Sequence, residues 1–469
     1  MVLPLPMRMG SLDEFISQTR GRIRHGDAQL LLIDESLAAF YPVEPGDPPV
    51  VFLSDVIGGS DDVVIPSPDP ERLLILQYTS GSTSEPKGVM IPDRVLGANL
   101  HALVTAGEVV PDTDVVVSWL PLYHDMGLVG TLSTPMVYGI DLVQAAPQDF
   151  LAHPGNWMNW LSQYGGTMTA GPNFSWVLAA RALRRMEGID LSSMRMALSG
   201  AEPVDPEVVE TFVREAGRFG FPPGAIFPAF GMAEVAIAGT FPPIGRGMVV
   251  DSVDRQVLER ERIAVPRTLT DGDETTDVRR LPHLGFAVPG LEIRVCAPDS
   301  VDVLPDRSVG ELQLRGTSVT PGYYKRPEAT TALFRDGWLC TGDLAYLVDG
   351  ELVMCGRIKD VIIVGGRNVF PEDIERAVNV LDGVRAGNVI AFGVDGYKGK
   401  ETVIVVAEVK TDDLAAVREL IHHRTIEVCG LPPRDIMLVR PSTLPKTSSG
   451  KLQRGLCKQQ YLDETLQLA

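Results

Sequence analysis

The chain has 469 residues, of which 45% are hydrophobic and 22% charged, and its formal net charge is −19. This composition is typical of a globular protein with two or three domains and a large core. The net charge argues against nucleic acid as a partner, because no basic stripe is available to neutralise phosphates. No apolar run reaches the roughly 18 residues that span a bilayer. We therefore expect no stable membrane insertion.

Residues 1–10 lack the charged and then apolar order of a signal peptide. The five cysteines are scattered along the chain and show neither paired nor metal-ligand spacing. An odd, scattered set of this kind indicates reduced thiols and a cytoplasmic location.

The first element with a chemical signature is a run of hydroxyl residues between an apolar strand at 73–76 and a Pro-Lys-Gly turn. The run and the lysine that follows it comprise Thr79, Ser80, Gly81, Ser82, Thr83 and Lys87. Small residues let backbone N–H groups close on an anion, and the hydroxyls and the lysine add donors and positive charge. Most Ser/Gly-rich stretches are plain surface loops. The spacing does not fit the Walker motif, so the run indicates a phosphate loop of another type.

Beyond this loop, apolar runs typical of strands alternate with patterns typical of helices. Strands are predicted near 115–120, 141–144, 168–170 and 194–198, and helices at 172–185 and 206–217. This alternation predicts an α/β domain with mostly parallel strands. Asp205-Pro206-Glu207 supplies a capping residue and then a proline in the first turn, which is typical of a helix start.

The segment 251–280 is charged and poor in apolar periodicity, so we expect a long loop or an insertion there. Antiparallel strands are predicted next at 291–296, 310–315 and 351–355, with Asp349-Gly350 as a hairpin turn. From residue 361 a strand, a Gly-Gly turn, a helix at 371–380, a strand near 403–409 and a helix near 414–428 follow. We therefore divide the chain into an N-terminal domain of residues 1–357, with a small β-subdomain, and a smaller C-terminal domain of residues 358–469.

Further polar motifs follow these strands in order. His124 stands in Trp-Leu-Pro-Leu-Tyr-His-Asp-Met-Gly-Leu, in a loop at the carboxyl edge of the sheet where ligands of α/β proteins bind. The other motifs are Ser-Gly200-Ala201-Glu202-Pro, Phe230-Gly231-Met232-Ala233-Glu234, Thr-Gly-Asp343, Gly-Arg357 and Leu-Pro-Lys-Thr-Ser-Ser-Gly-Lys451. Taken singly, each has a structural explanation, since a loop histidine is more often solvated and Thr-Gly-Asp is usually a turn. Their common order argues against coincidence.

Together these motifs resemble those of the adenylate-forming enzymes, and the chain is most similar to the fatty acyl-AMP ligases. The likeness covers nearly the whole chain and rests on 76–83, 119–128, 171–174, 250–255 and 365–375. It implies an α/β fold with a large N-terminal domain and a smaller, mobile α+β C-terminal domain. ATP and Mg²⁺ are the implied cofactors. The implied reaction converts a medium- or long-chain fatty acid into acyl-AMP and pyrophosphate, for transfer to an acyl carrier protein or synthase carrier domain in lipid or siderophore biosynthesis.

The resemblance also assigns roles to single residues. The residues assigned to ATP are Thr79, Ser80, Gly81, Ser82, Thr83 and Lys87 at the phosphates, Gly200, Ala201, Glu202, Phe230, Gly231, Met232 and Ala233 around the adenine, and Asp343 and Arg357 at the ribose or α-phosphate. Glu234 resembles the Mg²⁺ ligand, with Thr79 beside it. His124 resembles the residue that gates the acyl pocket, and Lys451 the lysine that bridges carboxylate and α-phosphate. Lys359 falls at the hinge.

Two alternatives to this assignment stay open. The acyl pocket is expected at 126–130, 172–177 and 231–236, where nothing polar suggests recognition of an α-amino group. The segment 251–280 lies where fatty acyl-AMP ligases carry an insertion that restrains the hinge and disfavours CoA, yet it is less hydrophobic than a packed clamp. A fatty acyl-CoA synthetase is therefore the first alternative.

The second alternative concerns the N-terminus. Relatives carry more chain ahead of the phosphate loop, so part of the N-terminal domain is expected to be missing, which would expose apolar sheet surface. A truncated, weakly active binding or scaffold paralogue is the alternative of another class. The intact motif residues Lys87, Glu234, Asp343, Arg357 and Lys451 favour an enzyme.

Overall fold

The computed structural model describes residues 1–4, 12–57, 66–79, 87–268, 277–396, 401–447 and 450–469. The α-helices there are α1 (Leu12–His25), α2 (Leu53–Val56), α3 (Asp93–Ala106), α4 (Thr134–Tyr138), α5 (Pro147–Ala152), α6 (Gly155–Gln163), α7 (Asn173–Leu183), α8 (Pro206–Gly217), α9 (Arg255–Glu261), α10 (Pro327–Leu333), α11 (Pro371–Asn379), α12 (Leu414–Cys429) and α13 (Arg454–Leu462). A π-helix spans Met126–Ser133, and 3₁₀ turns span Glu35–Phe40, Pro223–Ala225, Ala233–Val235 and Ile358–Asp360.

The strands are β1 (Leu31–Ile33), β2 (Val50–Phe52), β3 (Leu73–Thr79), β4 (Lys87–Pro92), β5 (Val115–Ser118), β6 (Asp141–Gln144), β7 (Met168–Gly171), β8 (Met196–Ser199), β9 (Ile226–Pro228), β10 (Phe230–Gly231), β11 (Ala238–Phe241), β12 (Val250–Asp254), β13 (Val278–Pro282), β14 (Phe286–Ala287), β15 (Leu291–Cys296), β16 (Gly310–Gly316), β17 (Phe334–Arg335), β18 (Trp338–Val348), β19 (Glu351–Arg357), β20 (Ile362–Val364), β21 (Arg367–Val369), β22 (Val384–Asp395), β23 (Glu401–Val409) and β24 (Asp435–Val439).

A parallel sheet with the strand order β6-β5-β7-β8-β9 organises the N-terminal domain. Large aromatic side chains fill its core, among them the fully buried Trp157, Trp176 and Phe212. The predicted helix 206–217 is confirmed as α8, where Asp205 accepts a hydrogen bond from the Glu207 N–H at 2.9 Å. Because the strands are parallel, the chain leaves β5, β7 and β8 at the same edge.

Strands β3 and β4 form an antiparallel hairpin in which Thr79 is paired with Lys87. The predicted phosphate-loop residues Ser80, Gly81, Ser82 and Thr83 lie between them, outside the described residues. Farther along the chain, β15, β16, β18, β17 and β19 build an antiparallel sheet, which confirms the predicted β-subdomain strands. Its β18–β19 hairpin turns at Asp349-Gly350, both with positive φ, as predicted, and its register pairs Asp343 with Arg357.

The C-terminal part has its own layers. Strands β22, β23 and β24 form one sheet, on which α11, α12 and α13 pack. One core cluster of this part runs from Ile362 to Leu438 and a second from Ile390 to Cys457, whereas the largest core cluster draws on Val89 to Leu352. A small apolar cluster that includes Val253 and Phe370 links the two parts. The large N-terminal and smaller C-terminal domains are thus confirmed, and the exact boundary at 357/358 stays a prediction.

The segment 251–280 is not the long loop that its composition predicts. Strands β12 and β13 pair in antiparallel register, and α9 begins at a cap in which Asp254 accepts a hydrogen bond from the Val257 N–H at 3.0 Å. Only residues 269–276 of the segment fall outside the described part of the chain. The charged composition predicted a solvent-exposed loop, but several of the charged side chains, such as Arg279 and Glu259, are buried in ion pairs. Whether the segment is an insertion stays a prediction.

Among the described helices, none combines the length and the apolarity that crossing a bilayer requires. All five cysteines are free thiols, and four of them are buried. Burial raises the pKa of Cys355 and of Cys457 to about 12, so these thiols are protonated at neutral pH.

Candidate active site

A lysine of the C-terminal part meets a histidine at the carboxyl edge of the parallel sheet. His124 follows β5, and its Nε2 lies 3.3 Å from Nζ of Lys451, 327 positions later in the chain. The Lys451 N–H donates to Thr447 Oγ1 at 3.0 Å, which holds the backbone of Lys451 close to Thr447. Burial lowers the pKa of Lys451, against the opposing attraction of Asp125 and Glu202. The sheet edge and the C-terminal loop therefore form one polar site.

Asp125 fixes the histidine. Its Oδ1 lies 2.6 Å from Nδ1 of His124 and accepts the N–H of Met126 at 2.8 Å. Burial alone would raise the pKa of Asp125, but attraction to His124 and Lys451 holds it below its usual range. Its carboxylate supplies negative charge that orients the imidazole toward the lysine.

A narrow, mostly apolar cavity of about 60 Å³ opens beside this pair. It is lined by Trp119, Leu120, Pro121, Tyr123, His124, Met126, Pro147, Leu151, Pro172, Phe174, Ala201, Gly450 and Lys451. Met126, Pro172 and Phe174 belong to segments where the acyl pocket is expected, whereas the expected segment 231–236 does not line this cavity. Helix α5 also lines the cavity, through Pro147 and Leu151. No sequence motif marks this helix as part of a site.

The turn after β8 forms one wall of the site. Space is tight at Gly200, since a Cβ atom there would lie 3.0 Å from the carbonyl oxygen of Ala229. Ala201 adopts φ +67°, a conformation that L-residues rarely take. Oε1 of Glu202 accepts a hydrogen bond from the Phe174 N–H at 2.8 Å, in the first turn of α7, and burial raises the pKa of Glu202. The half-buried Glu202 therefore caps a helix beside the cavity.

Glu234 sits on the 3₁₀ turn after β10, only 8% exposed. Gly231 permits this turn, because a Cβ atom at that position would lie 2.0 Å from the Ile237 carbonyl oxygen. Burial raises the pKa of Glu234, while a hydrogen bond from the Tyr323 hydroxyl opposes the shift. Phe230 and Gly231 form β10, and Met232 joins this strand to the turn.

Asp343 and Arg357 form an ion pair across the β18–β19 hairpin, with Arg357 Nε 3.1 Å from Asp343 Oδ1. Asp343 is 7% exposed, and burial raises its pKa to about 6, with the Arg357 charge opposing the shift and the Glu234 charge adding to it. Lys359 follows on the 3₁₀ turn, where partial burial and repulsion from Arg357 lower its pKa. These charged groups influence one another electrostatically and so share one region.

Lys87, which follows the predicted phosphate loop, also contacts this region. Lys87 Nζ lies 5.2 Å from the ring centroid of Tyr323. The structure thus places one group of charged residues around Glu234, comprising Lys87, Glu234, Asp343 and Arg357, and a second group formed by His124 and Lys451. The charges of Arg357 and Asp125 act on both Glu234 and Lys451, and so connect the two groups. Sequence reasoning did not single out Asp125, although it lies inside the His124 motif. Tyr323 had no motif to mark it.

Two family models match the chain. The model of AMP-binding enzymes matches residues 24–324, and a model of the AMP domain of Disco-interacting protein 2-like proteins matches residues 359–469. Among curated relatives, a putative ligase of Mycobacterium tuberculosis is 41% identical over 438 residues, which span 92% of this chain and 79% of that protein. The medium-chain-fatty-acid–[acyl-carrier-protein] ligase JamA of Moorena producens is 34% identical over 417 residues, 86% of this chain and 70% of JamA.

Solved structures agree with this similarity. A structure from a study of fatty acyl-adenylate ligases of E. coli and L. pneumophila superimposes with a TM-score of 0.89 at 31% identity, covering 98% of this chain and 83% of that one. A fatty acid AMP ligase from Legionella pneumophila gives a TM-score of 0.71 at 28% identity, with 97% and 81% covered. The fold and these relatives agree with the match to the family model. The chain belongs to the AMP-binding enzyme family.

Proposed function

We propose that this protein is a fatty acyl-AMP ligase, which converts a fatty acid and ATP into acyl-AMP and pyrophosphate and passes the acyl group to a carrier protein. The observation that carries the proposal is the approach of Lys451 to His124 at the mouth of an apolar cavity. The names of relatives such as JamA support a fatty acid as the substrate and a carrier protein as the acceptor.

In the proposed reaction a carboxylate oxygen attacks the α-phosphorus of ATP. The new O–P bond forms as the bond from the α-phosphorus to its bridging oxygen breaks, and pyrophosphate leaves with the electron pair. Both reactants are anions, so the barrier is largely repulsion and alignment, which fixed cations and donors lower. Lys451 suits this role, because it is a compact charge on a flexible stem beside the cavity. His124 would close the cavity next to the reacting carboxylate.

The nucleotide would occupy the region between the two groups of charged residues. Asp343 is suited to accept hydrogen bonds from both ribose hydroxyls. The exposed Arg357 side chain would exchange its ion pair with Asp343 for contacts with the sugar or α-phosphate. The ring of Phe230 would stack on the adenine beside the wall formed by Gly200, Ala201 and Glu202. Thr79 and Lys87 hold the two ends of the predicted phosphate loop.

The residues present fit a magnesium ion held mainly by phosphates. Glu234 and Asp343 are buried carboxylates, and repulsion from Glu234 contributes to the raised pKa of Asp343. A cation bound between them would offset this repulsion. Among the described residues there is no cluster of three or more metal-ligating side chains, which matches the habit of Mg²⁺ of taking one or two carboxylates plus substrate phosphates. Bound at Glu234, with Thr79 as the other ligand that the resemblance implies, such an ion would offset phosphate charge.

The polar contacts of segment 251–280 favour a carrier protein over CoA as the acceptor. Arg279 Nε lies 3.0 Å from Oδ1 of Asp373, with both side chains 2% exposed, and Arg367 Nε donates to Glu259 Oε2 at 2.8 Å. Each pair joins this segment to the C-terminal part. A clamp built from buried ion pairs would restrain the hinge at Lys359 without the hydrophobic composition expected of it, because breaking a buried pair is costly.

The proposal is tested by incubating the protein with ATP, Mg²⁺ and a panel of fatty acids, with and without CoA. We expect acyl-AMP to form and to persist in the presence of CoA. Accumulation of acyl-CoA would support the synthetase alternative. The absence of any acyl-AMP, measured together with ATP–pyrophosphate exchange, would support the scaffold alternative.

Replacement of the lysine separates the two half-reactions. We expect Lys451→Ala to reduce acyl-AMP formation by on the order of 100-fold or more, as for the loss of a transition-state donor, and to spare transfer from supplied acyl-AMP. The exposed Lys410→Ala in the same domain serves as the control. Equal loss of both half-reactions in Lys451→Ala would contradict the assignment.

A further inference from the structure

We propose that Tyr323 is a positioning residue that holds the Glu234 carboxylate with its hydroxyl and the Lys87 ammonium with its ring face. The inference rests on the proposed function, since it concerns the residues assigned there to the metal and the triphosphate. Tyr323 lies outside every motif that the sequence reveals. It is 7% exposed and belongs to the segment that precedes α10.

The contacts of Tyr323 reach both residues at once. Its hydroxyl donates to Oε1 of Glu234 at 2.7 Å, and its ring centroid lies 5.2 Å from Nζ of Lys87. The first is a hydrogen bond to a charged group inside a buried site, which is stronger than a neutral one. The second is within cation–π range. One side chain therefore orients two groups that come from different elements.

The backbone around Tyr323 is held too firmly for this contact to be incidental. The Met90 N–H donates to the Gly322 carbonyl at 3.0 Å and the Tyr324 N–H to the Gly88 carbonyl at 2.8 Å, which pairs this segment with β4. Gly322 has φ +138°, and a Cβ atom there would lie 2.3 Å from the Thr330 side chain. The phenol is thus fixed relative to the strand that begins with Lys87.

The same segment is also attached to the turn that carries Glu234. The Thr320 N–H donates to the Glu234 carbonyl at 2.8 Å, and the Thr320 hydroxyl donates to the Met90 carbonyl at 2.6 Å. Backbone and side chain of Glu234 are therefore held from the same side. A carboxylate with one oxygen engaged in this way presents its other oxygen in a defined direction, which is what a ligand to a cation requires.

The chemistry of the phenol suits a permanent donor. A phenol hydroxyl is protonated at neutral pH, since its ordinary pKa is about 10, and here it donates to Oε1 of Glu234. A side chain that only accepts hydrogen bonds, such as an ionised Asp or Glu, would leave the Glu234 carboxylate without a donor at this position. Phenylalanine would retain the ring but not the hydroxyl. The two contacts can therefore be removed one at a time.

The test measures metal and nucleotide binding directly. Mn²⁺ is titrated by electron paramagnetic resonance in the presence of a non-hydrolysable ATP analogue. We expect Tyr323→Phe to weaken Mn²⁺ binding about 10-fold or more, as loss of an outer partner of a metal ligand does, and to leave analogue binding without metal unchanged. Tyr323→Leu should in addition weaken the analogue itself, because Lys87 loses the ring. The control is Tyr324→Phe, whose hydroxyl donates to Asp27.

A double variant distinguishes positioning from simple stabilisation of the fold. If Tyr323 acts through Glu234, Tyr323→Phe added to Glu234→Gln will cause no further loss of Mn²⁺ binding. Unchanged Mn²⁺ affinity in Tyr323→Phe, or full additivity in the double variant, would overturn the inference. Acyl-AMP formation by the unmodified protein is measured in parallel. Its absence would refute the proposed function, whereas its presence with unaltered Mn²⁺ binding would refute the positioning role alone.

Discussion

Asp343 shows how burial prepares a single residue for a ligand. Its carboxylate is paired with one guanidinium on an exposed side chain, yet it lies in the same buried region as Glu234. Burial outweighs the attraction of Arg357 and raises its pKa from 3.8 to about 6. Burial disfavours the charged form of this carboxylate, and hydroxyl donors such as those of a ribose would stabilise that form.

The pKa of Asp343 predicts a pH dependence of folding stability. The folded state holds this proton more tightly than the unfolded state, so its contribution is fully present below pH 3.8 and is lost as the pH rises through about 6. The shift corresponds to about 3 kcal/mol. We expect Asp343→Asn to lack this decrease in the free energy of unfolding, measured by urea titration without nucleotide or Mg²⁺. Asp112→Asn, at an exposed position, is the control, and an equal decrease in Asp343→Asn would contradict the prediction.

Helix α13 connects the predicted hinge turn, Ile358–Asp360, with the loop of Lys451. Arg454 begins this helix, three residues after Lys451, and its guanidinium lies 2.6 Å from Asp360, 3.3 Å from Glu372 and 2.9 Å from Glu375. Three carboxylates from the hinge turn and α11 thus converge on one half-buried cation. The cluster therefore links this turn and α11 to the helix that follows Lys451.

Replacing the cation of this cluster will affect stability and catalysis together. We expect Arg454→Leu to lower the free energy of unfolding by about 3 kcal/mol, because three carboxylates lose their partner, and to slow acyl-AMP formation. Arg454→Lys should recover part of the stability but less of the rate, since a lysine cannot reproduce the fork geometry. Urea unfolding and pyrophosphate release report the two effects. The exposed Arg440→Leu is the control, and full activity of Arg454→Leu would exclude the connection.

At the scale of the whole molecule, buried ion pairs join the segment 251–280 to the C-terminal part. Replacing a buried pair by apolar residues is often neutral for stability, so the link can be removed without unfolding the chain. We expect the double variant Arg279→Met/Asp373→Leu to form acyl-AMP and to produce more acyl-CoA than the unmodified protein, because its C-terminal domain turns more readily.

The control for this variant is an ion pair inside the N-terminal domain, Arg195 with Asp114, 2.6 Å apart. Arg195→Met/Asp114→Leu should leave the ratio of acyl-AMP to acyl-CoA unchanged. Chromatographic separation of the two products gives this ratio. If both double variants shift it equally, the clamp does not decide the acceptor.

The sequence by itself determined the local features, which depend only on interactions between residues close together in the chain. The cap of α8, the Asp349-Gly350 and Gly365-Gly366 turns and the alternation of strands and helices act over a few positions, so local physics predicted them. The order of the motifs likewise pointed to the family, because each motif needs only its own residues. The same reasoning led to the predicted roles of Lys87 and Lys451.

Only the tertiary structure decided which of these residues meet. Lys451 reaches His124 across 327 positions, Tyr323 reaches Glu234 across 89, and Glu202 caps a helix that begins 29 residues before it at Asn173. The segment 251–280 was misjudged for the same reason. In a sequence, a charge that will be buried beside its partner looks like a charge in solvent, because the energy that distinguishes them comes from the distant partner.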